Sequence, residues 1–71
     1  MKPTDYYKDG PFYIRDLPNH TVMIREGRHY EVNIYCKRIG SFVVSRYSGT
    51  LRASKTIARE EIKKIVGDVK P

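Results

Sequence analysis

Apolar and polar residues alternate most regularly along "HYEVNIYCKR". In an extended strand Tyr30, Val32, Ile34 and Cys36 face one way and Glu31, Asn33, Tyr35 and Lys37 the other, because successive strand side chains point to opposite faces. The preceding run "TVMIRE" is rich in β-branched residues and ends at Gly27-Arg28, which predicts a hairpin turn. An "IG" pair then turns the chain into "SFVVSRY", a third strand, and "SGTLRA" carries it onward. Before these, "FYIRD" reads as a short edge strand, followed by a turn at Pro18 and Asn19. The pattern predicts a three-stranded antiparallel meander, four-stranded if the edge segment joins.

The period changes in "SKTIAREEIKKIVGD". Ile57, Ala58, Ile62, Ile65 and Val66 recur at helical spacing and form one apolar stripe that can cover a face of the sheet. Ser54 is the predicted N-cap, and Gly67 falls where a helix would stop. Glu61 lies at the edge of the stripe and is expected to reach solvent or a neighbouring cation. The expected fold is therefore α+β: a three- or four-stranded antiparallel sheet with one C-terminal helix packed on one face. Residues 1–11 contain two prolines and an Asp9-Gly10 pair but few apolar groups, which predicts a flexible or docked arm that Tyr6 and Tyr7 pin down. Residues 12–71 make up a single small domain.

Size and charge narrow what such a domain does. A chain of 71 residues has room for one core and little room for a deep substrate cleft. Fourteen Lys and Arg against eight Asp and Glu give a net charge of +6 and a pI of about 9.7, which favours an anionic partner such as nucleic acid or an acidic protein surface. The single cysteine, Cys36, falls on the apolar face of its strand and is expected in the core. With no apolar signal core or membrane span in view, the expected setting is reducing and cytoplasmic. No Gly-rich phosphate loop, nucleophile elbow or four-ligand Cys/His set is present, so neither a cofactor nor a metal site is expected.

Two groups of residues are candidates for binding. Lys55, Arg59 and Lys63 stand at i, i+4 and i+8 of the predicted helix, where like charges repel by a few tenths of a kcal/mol per pair. With Ser54 as cap, Lys55 falls in the first turn, beside backbone donors that already attract anions. An ordinary solvated helix face would carry the same residues. The uncovered sheet face would show Met23, Arg25, Asn33, Tyr35 and Lys37, with Ser45 and Tyr47 on one choice of register. Arg46 and Arg52 join them if that register shifts. Aromatic rings among Arg, Lys and Asn suit stacking on bases and pairing with phosphates, although antiparallel sheets are commonly polar on their wet side.

The order of three strands then a helix opened by "SKTIAR" resembles the arm-binding N-terminal domains of tyrosine recombinases. In that resemblance "GRHYEVNIYCKR" is the central strand, and the sheet enters the DNA major groove with the helix behind it. The same stretch is similar to the second half of a double-stranded-RNA-binding domain, whose Ser-Lys-Lys-x-Ala-Lys motif maps onto Ser54, Lys55, Ala58 and Arg59. Thr56 stands where the second lysine belongs, and "MKPTDYYKDGPF" does not supply that family's first helix. The resemblance implies a module without chemistry of its own that binds nucleic acid, duplex DNA favoured over RNA. An alternative expectation is a small phage-type inhibitor, such as an anti-CRISPR protein, docking on a larger protein complex. A third rests on "GTLR", which resembles part of HicA-like messenger-RNA-cleaving toxins, with His20 or His29 as acid or base; that family's leading helix and Gly-Ser-His approach are missing.

Overall fold

The computed structural model describes the backbone of residues 6–69 and the side chains of residues 6–65. Five strands, β1 (Tyr7–Asp9), β2 (Phe12–Asp16), β3 (His20–Arg25), β4 (Tyr30–Cys36) and β5 (Ser41–Ser48), precede one helix, α1 (Leu51–Val69). The strands lie in the order β1-β2-β3-β4-β5, each antiparallel to its sequence neighbour. The class is the expected α+β, an antiparallel sheet with a C-terminal helix. The strand count is corrected from three or four to five.

The fifth strand comes from the expected arm. Asp9 pairs with Phe12, leaving Gly10 and Pro11 as the two central residues of a hairpin turn. Gly10 has φ +59° and proline fixes φ near −65°, the combination a type II′ turn requires. The Gly-Pro pair that reads as a chain breaker therefore closes a hairpin, and "FYIRD" lies inside the sheet instead of at its edge. Pro11 is tied to the next hairpin, its carbonyl accepting the Glu26 amide at 2.7 Å. Lys8 adds an ion pair to Glu26 at 3.4 Å.

Register sorts the side chains into two faces. Val22, Ile34 and Val44 stand side by side across β3, β4 and β5, as do Ile24 and Val32. These five are buried, with Ala58 of α1 against them. Each buried Val or Ile contributes roughly 1.5–3 kcal/mol by leaving water. Ile57, Ile62 and Ile65 pack around this centre from the helix, as the apolar stripe predicts, and Leu51 of the first turn joins them. The side chain of Val66 lies outside the described residues. Cys36 is buried on the same face.

The helix begins earlier than the sequence suggests. Thr50 is the N-cap: its Oγ1 accepts the Ala53 amide at 3.1 Å. Ser54 is instead wholly buried against the sheet, where a hydroxyl and the methyl of Ala58 one turn later let the helix approach closely. Its Oγ lies 2.7 Å from Ser48 Oγ and 2.9 Å from the Thr50 carbonyl, which is also 2.7 Å from Ser48 Oγ. Two hydroxyl protons serve three short contacts, so two of the three are hydrogen bonds at any moment. At the other end, the helix runs through Gly67 to Val69 instead of stopping at the glycine.

Candidate functional site

The sequence-predicted site residues fall on opposite sides of the molecule. Arg25, Asn33, Tyr35 and Tyr47 share the open face of the sheet, as alternation predicts, with Met23 and Ser45. Arg46 does not join them: it pairs with Val32 on the covered face and its Nε meets Glu61 at 3.7 Å. Glu61 also meets Lys64 at 3.6 Å, so this acid at the edge of the apolar stripe finds the expected cations, although its side chain is only 15% exposed instead of standing in solvent. Lys55, Arg59 and Lys63 are exposed on α1, behind the sheet.

The open face is richer in carbon and poorer in positive charge than "HYEVNIYCKR" suggests. Phe12, Ile14 and Asp16 of β2 and Tyr7 and Asp9 of β1 stand on it, in register with Arg25, Met23 and Thr21. It therefore carries three carboxylates, Asp9, Asp16 and Glu31, against two cations, Arg25 and Lys37. Lys37 lies just past the end of β4 and is committed: its Nζ is 2.8 Å from Asp16 Oδ1 and donates to the Leu17 carbonyl at 2.8 Å. The bonds from Lys37 and Thr21 hold the Asp16 carboxyl below its ordinary value. Arg25 stands opposite Glu31, which stands opposite Tyr47, and the Tyr47 hydroxyl donates to Glu31 Oε2 at 3.3 Å. Glu31 thus sits between the two residues expected to meet a polyanion. A recess of about 260 Å³ at this end is lined by these three residues with Glu26, Gly27, Arg28 and His29.

Tyr35 is not a free stacking platform. Its ring packs edge-on against Phe42, centroids 5.2 Å apart at 75°, because a register shift after Ile34 brings Phe42 opposite it. The extra residue, Val43, is left 44% exposed, and Phe42 itself is 54% exposed. With Tyr7 at 46% and Tyr47 at 68%, the open face presents an uneven apolar surface with a charged margin.

The cations concentrate on the helix. Arg52, Lys55, Arg59 and Lys63 are all exposed, and each differs from its neighbour in the series by three or four residues, which places them along one side of α1, away from Ser54, Ala58 and Ile65. None of the four forms an ion pair among the described residues. Arg52, left open by the sequence, lies in the first turn. Lys55 does not, since Thr50 is the cap, and the expected convergence of its ammonium with the free helix amides is not formed. Lys55 leans toward β1, its Nζ 5.2 Å from the centroid of the Tyr6 ring. The Tyr6 hydroxyl and Arg15 Nε are each buried without a hydrogen-bond partner among the described residues. Burial pushes the Tyr6 hydroxyl above its ordinary value, and the Arg15 charge partly offsets this. Arg15 is not legible as a member of this cluster, because "FYIRD" does not reveal which face it buries.

His20 opens β3, while His29 lies in the loop beyond its other end. Among the described residues, no group of three or more His, Cys, Asp and Glu is placed to hold a metal ion, and no helix is long and apolar enough to cross a membrane. No family model, curated protein or solved structure matches the chain.

Proposed function

We propose that this protein binds nucleic acid, duplex DNA in preference to RNA, through the outward side of α1. The observation that carries this reading is the run of four exposed cations, Arg52, Lys55, Arg59 and Lys63, with no ion pair to neutralise it among the described residues. At about 1.5 Å per residue the run is roughly 16 Å long, comparable with the ~12 Å width of the DNA major groove. Cations at its two ends can therefore reach phosphates on both strands. The major groove of duplex RNA is deep and narrow and does not admit side chains in this way. The contacts are to phosphate, so the binding is sequence-tolerant and involves no chemistry on the nucleic acid. The near-neutral open sheet face is not part of this contact, which revises the roles expected for Arg25, Asn33, Tyr35, Lys37 and Tyr47.

Anisotropy titration with random duplex DNA across a salt series tests the proposal. Log K should fall linearly with log[salt], and the Arg52→Ala, Arg59→Ala, Lys63→Ala triple variant should make the slope shallower by about 0.9 for each phosphate that is no longer neutralised. An unchanged slope removes the helix from the interface. That outcome favours a second reading, docking on a larger protein complex in the manner of a small inhibitor, which is supported by the exposed apolar groups Phe42, Val43 and Tyr7 on the other side.

A further inference from the structure

At the end of the sheet far from the helix start, a cavity of about 420 Å³ lies between the turn after β2, the end of β4 and the later turns of α1. Leu17, Ile62 and Ile65 form apolar walls, Cys36 and His20 line it from the sheet, and Arg38 stands among the lining residues from the turn after β4. His20 and Cys36 are directly opposed across β3 and β4. The bond from the Lys37 amide to the Asn19 carbonyl, 3.0 Å, makes theirs a non-hydrogen-bonded pair, in which side chains approach most closely. Among the described residues no carboxylate lines the cavity, and Arg38 has no ion pair or side-chain hydrogen bond.

The volume is in the range of small-molecule sites, roughly 300–1,000 Å³, which combine apolar walls with a few polar groups that orient the ligand. We propose that this cavity binds a small amphiphilic anion, its apolar chain between Leu17, Ile62 and Ile65 over Cys36 and its carboxylate against the Arg38 guanidinium. The sign of the ligand follows from the described lining: an unpaired guanidinium with no carboxylate among those residues favours a planar oxyanion that accepts two N–H bonds. The size of the chain follows from the volume of about 420 Å³ between Leu17, Ile62 and Ile65. The site is independent of the cation run, which lies on the other side of the same helix.

Cys36 is the only thiol in the chain and sits in this cavity, so its reaction with a disulfide reagent reports occupancy directly. Decanoate should slow that reaction in a saturable way and raise the melting temperature, whereas decanol, equal in length and uncharged, should protect less. Arg38→Ala should weaken decanoate about tenfold, the equivalent of roughly 1.4 kcal/mol, and abolish its advantage over decanol. Filling the cavity with Ile62→Phe, or with Ile65→Phe should the first variant not fold, should remove protection by both. A thiol that is inert without ligand, protection that does not saturate, or equal decanoate affinity in the Arg38→Ala protein would each overturn the proposal. In the supporting case the salt slope of DNA binding is the same for Arg38→Ala and the parent protein.

Discussion

Thr50 and Ser54 separate two accounts of where the helix begins, and their alanine variants should differ in a way that can be measured. Replacing Thr50 by Ala removes the only side-chain acceptor for the Ala53 amide, a loss of about 1 kcal/mol in the usual range of 0.5–2 for an N-cap. In a domain of this size that lowers the melting temperature by about 4–8 °C per kcal/mol. Ser54→Ala should do much less. It removes one hydrogen bond worth about 0.5–1.5 kcal/mol, but Ser48 keeps its 2.7 Å contact to the Thr50 carbonyl, and alanine is the better helix former by about 0.5 kcal/mol. Thr50→Ser should match the parent, and Thr50→Asp should exceed it by about 0.3–1 kcal/mol, because the first turn carries no acid. Thermal unfolding followed by far-UV circular dichroism gives the order, and exchange of the Ala53 amide gives its cause. A Ser54→Ala protein that loses several degrees while Thr50→Ala loses none would refute this assignment of the cap.

Other consequences are more direct. Ile34→Ala should cost about 2–5 kcal/mol, since Ile34 is fully buried, and a denaturant titration should show the midpoint falling with little change of slope. Gly10→Ala should destabilise by about 1–3 kcal/mol for holding a side chain at positive φ, although nothing lies within 4 Å of the added carbon; Gly10→Asn should recover part of this. Asp16 has its carboxyl held below the ordinary 3.8 by Lys37 first and Thr21 second. It therefore stabilises the fold above about pH 4 and ceases to do so as pH falls through its lowered value. Asp16→Asn should flatten the acid side of the stability profile, and parallel acid unfolding curves for the two proteins would exclude this.

What the sequence makes legible follows from length and contrast. The seven residues of β4 alternate strictly, so one face of the sheet can be read from "YEVNIYC" alone, and the helix stripe is read just as directly from Ile57, Ile62 and Ile65. β1 has only three residues and no period to detect. Its turn hides behind a Gly-Pro pair that signals a break unless glycine is placed first in a mirror-image turn. The helix start is obscured because Ser54 has the chemistry of a cap, and only its burial shows it serving as a spacer. The binding surface is obscured for a related reason. Without β1 and β2, the open face lacks Asp9 and Asp16, so a nearly neutral surface reads as a basic one.

The strictly sequential strand order bears on how the chain reaches this structure. Each strand joins the next through a connection of two to four residues, from Gly10-Pro11 to Lys37–Gly40, so every hairpin closes at small entropic cost and forms in roughly 1–10 μs. The distant contacts arise when α1 folds back over β3, β4 and β5, and that step carries most of the barrier in a topology otherwise built from local pairing. Among the described residues β1 and β2 make no close backbone contact with α1, and of their side chains Tyr13 packs against the core that the helix covers. Their opening is thus a separate, shallower event than global unfolding, and amide protection should rise stepwise from the β1 edge toward β4.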